Sequence, residues 1–503
     1  MSLAATLANR PLVGIEIGAI EQQNSILKLQ VVAEQMQRPI QCWSSIASGW
    51  HSIDRILNEW ADDLDLGFEI LRHLAPQALQ SGISVYIDLF TAIASLDRPS
   101  QVRAHQAILN LFFHLQRDNE RRIVFLETGE IPKQFVQSIY SYDFPLPTPA
   151  EVRDLIAAAQ LPADNPKFLN ILSGLTLEEI RIALKPIELG MDLDTAADRL
   201  LDYKYELFAT YGLEFIGETA TKDIGGLDIV KEALVGVQKS FAPEARAYNI
   251  PIPRGWLMVG VPGAGKTYFA KVCAQKLGFP LINIGIDVAK SGGVAKFKRL
   301  LKRIDACEPC LPYFDEFDKF FMGENAGEFL GIILTWLNEK TSQTFVLATL
   351  NRLENLPPEL TRAGRFDRTF YVDFPKAAER KEILQLHLAR FDSAYKTGHG
   401  RLTDREWFSI LERTEKCTGA ELAQMAIEAA TYQFYRLEAG EAIELSAEDI
   451  LAARTRIRTL YSRNPEGIMA IENRAKAFTE ASSSDLPNPF DLPEEPLYSL
   501  NCN

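Results

Sequence analysis

Gly260-Val261-Pro262-Gly263-Ala264-Gly265-Lys266-Thr267, near the middle of the chain, fits the pattern G-x-x-x-x-G-K-[ST]. It follows the apolar run Gly255-Trp256-Leu257-Met258-Val259, which reads as a buried strand, and a helix is expected to start near Lys266. The three glycines let the backbone wrap closely around oxyanions with successive N–H groups pointing inward, and the helix adds the positive end of its dipole. ATP or GTP is therefore the first ligand to consider. Lys266 would reach the β- and γ-phosphates, Thr267 would hold Mg²⁺, and Pro262, Gly263, Ala264, Gly265 and Tyr268 would complete the cradle.

Further on, Leu311-Pro312-Tyr313-Phe314 ends in Asp315-Glu316. This reads as a second buried strand whose Asp315 completes the Mg²⁺ shell through water and whose Glu316 polarises the attacking water. Thr344–Thr349 is a third strand-like run, ending at Asn351, a side chain that can orient water against the γ-phosphate. The stretch Leu360–Asp367 then carries Arg362 and Arg365, three apart in a glycine-containing loop. That spacing suits donation of a guanidinium to phosphate charge in a neighbouring subunit's site.

The order Asp223–Gly226 (DIGG), the phosphate loop, Phe314–Asp318 (FDEFD), Ala348–Arg352 (ATLNR), Arg362–Asp367 (RAGRFD) and Thr418–Glu421 (TGAE) resembles the AAA branch of the AAA+ ATPases, from about residue 215 to about 460. Within it, Leu334–Ser342 and Leu356–Leu360 resemble the "hypothetical chloroplast frame" (ycf-type) AAA proteins of cyanobacteria and plastids. The resemblance implies that Ile224 and Gly225 line the adenine pocket, that His387 lies against the base or ribose from a lid helix, and that Gly419 and Ala420 replace a sensor arginine. It also implies a homo-oligomer, a hexameric ring with sites between subunits.

Composition agrees with a soluble multidomain enzyme. The chain has 503 residues, 47% of them apolar, enough for about three cores. A formal charge of −14 argues against general affinity for nucleic acid or anionic membranes. Six cysteines in so long a chain do not form a disulfide framework, and Cys307-Glu308-Pro309-Cys310 reads as packing rather than a redox motif. No apolar run approaches the eighteen or so residues of a membrane span, and Met1-Ser2-Leu3-Ala4 lacks a secretory charge pattern. A cytoplasmic or stromal location is expected.

The N-terminal region echoes the ATPase module. Val85–Phe90 parallels Pro312–Phe317, Arg122–Leu126 takes the place of the Asn351 strand, and Asp143-Phe144-Pro145 parallels Asp373-Phe374-Pro375. The chemistry is missing from this copy. Its opening strand, Leu12–Ile17, leads into Gly18–Gln23 with no lysine or threonine for phosphate and Mg²⁺, and Leu89 stands where the catalytic glutamate would be.

The expected fold is α/β: a P-loop AAA+ core with a small helical lid, preceded by a degenerate ATPase-like α/β domain. The boundaries read as 1–147 for the degenerate domain, 148–212 for a helical lid-like or linker region with a capping box at Thr176–Glu179, 213–375 for the large ATPase domain and 376–462 for its lid. Residues 463–503 would be a helix and a disordered tail, Ser-, Pro- and acid-rich from about 479. Four amphipathic helices are expected in the lid: Ala377–Leu388, Thr403–Leu411, Gly419–Leu437 and Ser446–Leu460.

Two features depart from the family. Lys290–Lys296 lacks the gripping aromatic of threading pore loops, and the helix after it carries Lys296, Lys298, Arg299, Lys302 and Arg303 on one face. No arginine occurs between Lys319 and Arg352. The function expected is an Mg²⁺-dependent ATPase coupling hydrolysis to remodelling of an unidentified protein partner, in regulation of photosynthesis or carbon assimilation. The alternative is an ATP-gated assembly platform with slow turnover. A fused metalloprotease is disfavoured because no H-E-x-x-H occurs.

Overall fold

In a computed structural model of the chain, the described residues are 2–44, 50–51, 70, 72, 74, 79–135, 137–188, 190–216, 224–291, 293–322, 326–351, 357–362, 364–397, 400–438, 441–475 and 478–484. They form two compact units, residues 1–163 with 175–189, and residues 164–174 with 190–503. No described helix is long and apolar enough to cross a membrane.

The first unit is built on strands β1 (Leu12–Glu16), β2 (Ile40–Ser44), β3 (Trp50–His51), β4 (Gly82–Ile87), β5 (Arg121–Glu127) and β6 (Tyr140–Ser141). Their order across the sheet is β3-β2-β4-β5-β1-β6, parallel except for the β2–β3 pair. The second unit contains β7 (Leu213–Ile216), β8 (Gly255–Gly260), β9 (Leu281–Ile284), β10 (Leu311–Phe314), β11 (Val346–Leu350), β12 (Arg368–Val372) and β13 (Glu480–Ala481). Its order is β13-β12-β8-β11-β10-β9-β7, with only the β7–β9 pair antiparallel.

Setting aside β3, β7 and β13, each sheet has five parallel strands, and if these are counted along the chain both run 2-3-4-1-5. The echo read in the sequence is therefore an echo of topology. It extends to the backbone: the turn leaving the third parallel strand passes through the left-handed region in both units, at Asp88 (φ 51°) and Glu316 (φ 49°). It extends to a cap as well. Thr176 and Glu179 close a capping box at the helix Leu177–Leu184, as Thr418 and Glu421 do at the helix Gly419–Phe434.

Sheets covered on both faces read as unbroken apolar runs. All six residues of β4 and of β8 are buried. Trp256 anchors the second core, its ring edge-on to Phe345 and Phe370 at 5.3 and 5.0 Å. Such rings supply large buried area and geometric specificity together. The lid has its own core around Leu384, Trp407, Met425 and Ile450.

Several boundaries differ from expectation. The fourth lid helix stops at Arg456, because Ile457 adopts extended backbone, and a short helix Leu460–Arg463 follows. The tail expected from about residue 479 begins instead as β13, which adds a parallel edge to β12 and ties Glu480 to Arg368 through an ion pair. Residues 485–503 lie outside the described residues, as do Asp223, Gly292, Arg352, Leu356 and Ala363 of the quoted motifs. Cys307 and Cys310 are buried free thiols, and burial pushes both up, as expected of packing residues. On the helix Gly293–Ala306, Phe297, Leu300, Leu301 and Ile304 are buried, leaving the basic residues to the other face, with Arg303 stacked over Tyr211.

Glu127, at the end of β5, is fully buried; its Oε1 accepts the Phe90 N–H and its Oε2 has no partner among the described residues. Burial, reinforced by Asp88, pushes its carboxyl up to about 8. A carboxyl raised in the folded state holds a proton that the unfolded chain has lost, so its contribution is fully present below about pH 4.5 and fades as pH rises through about 8. Glu127→Gln should therefore match the wild type in thermal melts near pH 5 and melt higher near pH 9. A pH-independent difference between the two proteins would show that Glu127 does not titrate there.

Candidate functional site

The strand order reverses between β8 and β11, and a crevice opens at the carboxyl ends of the strands wherever an α/β sheet does this. Here the crevice is a cleft of about 940 Å³. Its floor is the loop from β8 into the helix Lys266–Leu277, contributing Pro262, Gly263, Ala264, Gly265, Lys266, Thr267 and Tyr268. Gly263 (φ 80°) and Gly265 (φ 99°) take the left-handed backbone that this turn requires, and a Cβ on Gly263 would press on Ala420 and Thr418.

Lys266 is buried, its ammonium donating to the carbonyls of Gly260 and Val261 at 2.8 and 2.9 Å. Loss of solvent lowers its pKa to about 8, and Asp315, Asp318 and Glu316 only partly oppose that. Asp315 and Glu316 leave the end of β10 into the cleft. Asp315 Oδ1 accepts from the Tyr313 hydroxyl, the Thr349 hydroxyl and the Glu316 N–H at 2.9, 2.7 and 3.1 Å. The Glu316 carboxylate is paired with Lys319, and a non-glycine residue in the left-handed region is a strain of about 1–3 kcal/mol that tends to sit at functional sites. Asn351, just beyond β11, lines the cleft with a buried Oδ1 that has no hydrogen-bond partner among the described residues.

The opposite wall comes from the lid. His387 sits on the helix Ala377–Leu388, its imidazole pKa lowered by burial and by Arg390, and Gly419 and Ala420 open the helix Gly419–Phe434. The Ala420 N–H donates to the Gly263 carbonyl, stitching lid to loop. Ile224 and Gly225 close the remaining side. The chain just past them is held by two lid carboxylates, Glu382 accepting the Gly226 N–H and Glu379 the Leu227 N–H, both at 2.9 Å. Glu379 also accepts the Ser483 hydroxyl from the segment after β13.

Of the candidate nucleotide-site residues singled out in the sequence, the fold brings all but two to this cleft. Arg362 is exposed and Arg365 bonds the Glu359 carbonyl, and neither lines it. The cleft also has walls that the sequence reading missed: Ile383, Leu386, Arg390 and Ala423. The first three share one stripe with His387 at helical spacing, a signal present in the sequence but indistinguishable there from a packing face.

The donor set fits a nucleotide with Mg²⁺. A buried cation, a glycine-bearing loop at a helix start, a hydroxyl, two carboxylates and an orphaned amide oxygen line one space. Residues 256–374 match the family model "ATPase family associated with various cellular activities (AAA)". The AAA domain-containing protein ycf46 of Gracilaria tenuistipitata var. liui is 28% identical over 88% of this chain and 91% of its own. That of Pyropia yezoensis is 30% identical over 68% and 72%. A crystal structure of the FIGL-1 AAA domain in complex with ADP aligns at TM-score 0.44 and 22% identity, over 53% of this chain and 93% of that one. By its likeness to the two ycf46 relatives along most of their length, the chain belongs to the AAA ATPases, among the ycf46 AAA domain-containing proteins.

Proposed function

We propose that the second unit binds and hydrolyses ATP with Mg²⁺ and that this turnover drives rearrangement of a protein partner. The observation that carries the reading is the single cleft in which Lys266, Thr267, Asp315, Glu316 and Asn351 meet the lid residues His387, Gly419 and Ala420. Lys266 would neutralise the phosphates, its ammonium leaving the carbonyls of Gly260 and Val261 for a stronger anionic acceptor. Thr267 and Asp315 would hold Mg²⁺, which when bound supplies charge neutralisation across the phosphates. Glu316 takes a proton from water that Asn351 orients. Because lid helices form one wall, occupancy of the cleft biases lid position, and lid movement is the step available for mechanical coupling.

Arg362 and Arg365 fit a role in trans, within a ring of identical subunits, since neither faces the cleft of its own chain. The first unit serves binding or assembly. Where the second unit has Lys266, the first has a loop and helix start with Glu21 and Gln22, and the Thr176 hydroxyl bonds Glu21 directly. Near it, Asp88 accepts from Gln22 and Thr128. With no cation beside them among the described residues, these carboxylates repel phosphate. A role in photosynthesis or carbon assimilation is part of this proposal, on the resemblance of Leu334–Ser342 and Leu356–Leu360 to AAA proteins of cyanobacteria and plastids.

Calorimetric titration should find one ATP per wild-type chain and none for Lys266→Ala, whereas Glu316→Gln keeps binding and loses turnover by about a hundredfold or more, as expected on losing a positioned base. Hydrolysis unchanged in Glu316→Gln would reject the assignment, and residual stoichiometric binding in Lys266→Ala would mean the first unit is not silent.

ATP affinity should fall as pH rises above about 8, because phosphate raises the Lys266 pKa and the protein must then take up a proton to bind. Titration in two buffers of different ionisation enthalpy should reveal that uptake near pH 8.5, at roughly half a proton or more, and little near pH 7. Identical apparent enthalpies at both pH values would contradict it.

Arg362→Ala or Arg365→Ala should leave nucleotide affinity within about twofold while slowing turnover by about a thousandfold or more, the smaller end of the range for a lost arginine finger. Mixing either variant with Lys266→Ala protein should partly restore the rate. Failure of every mixture to recover activity would argue against shared sites.

A further inference from the structure

Tyr313 lies in β10, two residues before Asp315, and is 1% exposed, its ring packed in the apolar cluster with Trp256, Phe269 and Leu311. Its hydroxyl, however, is 3.0 Å from Thr267 Oγ1 and 2.9 Å from Asp315 Oδ1. Phenylalanine would fill the same apolar space, so packing gives no reason for the oxygen. A phenol has one proton to give, and the carboxylate is the stronger acceptor, so that proton goes to Asp315. The Thr267 hydroxyl then donates to Tyr313 Oη, which leaves the threonine's lone pairs free for a cation.

Asp315 Oδ1 is saturated by this bond together with those from Thr349 and Glu316, so the capacity left to the carboxylate is on Oδ2. We propose that Tyr313 is a positioning residue for the divalent cation, orienting the hydroxyl of Thr267 and the carboxylate of Asp315 before the metal arrives. The inference rests on the nucleotide reading of the cleft and specifies how its metal side is built.

The test is Mg²⁺ titration of mant-ATP fluorescence on the full chain, which needs no turnover. In EDTA, Tyr313→Phe should bind mant-ATP within about twofold of wild type, since the phosphate cradle is untouched. Half-saturating Mg²⁺ should rise by about tenfold, the scale expected when a hydrogen bond to a charged group is lost. In a Thr267→Ala background the same substitution should shift it less, because one of the two partners through which Tyr313 acts is gone and only the Asp315 contact remains. A Mg²⁺ midpoint unchanged by Tyr313→Phe would reduce the hydroxyl to a satisfied core group, and an equal shift in both backgrounds would overturn the orientation of Thr267. Unchanged EDTA binding also reports that the variant is folded. Wild-type protein that binds no mant-ATP at all would reject the nucleotide reading, and this inference with it.

Discussion

The reversal of strand order between β8 and β11 is the constraint from which the rest of the second unit follows. Parallel strands deliver all their carboxyl ends to one edge, and at a reversal the flanking connections leave to opposite faces, opening a crevice that no side chain fills. The loop after β8, the carboxylates after β10 and the amide after β11 reach that crevice because their strands are neighbours there. The first unit has the same reversal, and so the same crevice position, but holds carboxylates and amides where the second holds a cation. One topology thus supports two opposite electrostatic outcomes, decided by a few side chains at strand ends.

Electrostatic balance within the cleft explains its poised character. Lys266 is held out of water on two carbonyls, a costly position for an ammonium ion, and the nearby carboxylates offset only part of the penalty. A phosphate chain would relieve it. The same economy governs Asn351, whose buried oxygen lacks a partner among the described residues, and Glu316, whose backbone is strained. These groups are unfavourable for folding alone and make sense as a site prepared for a ligand.

The lid is coupled to this site by directed hydrogen bonds rather than apolar contact alone. Glu379 and Glu382 hold the backbone at Gly226 and Leu227, immediately after the pocket residues Ile224 and Gly225. Glu379 also receives Ser483, and Ser484 donates its N–H to Asp228, so the segment after β13 clasps the same corner. Behind the phosphate loop, Val261 packs against Phe374 and Ile468. The lid's hydrogen bonds therefore reach both the Ile224–Gly225 side of the cleft and the C-terminal edge of the sheet.

The sequence by itself determined the chemistry whose geometry is local. In Gly260–Thr267, Asp315-Glu316 and the capping box Thr418–Glu421, residue type and short spacing dictate the backbone, so the loop, the strand end and the helix start were legible without coordinates. The duplicate fold was legible too, because buried parallel strands write themselves as apolar runs at matching intervals. Only the tertiary structure decided that Tyr313 and Thr267, 46 residues apart, share a hydrogen bond, and that Ile383, Leu386 and Arg390 face a cleft instead of a core. It alone made Glu480–Ala481 a strand, since two residues with no apolar pattern gain their order from the open edge of β12 and the ion pair with Arg368. The physical reason is common to all three: each depends on what a distant segment presents, and free energy of that kind leaves no period or motif in the chain.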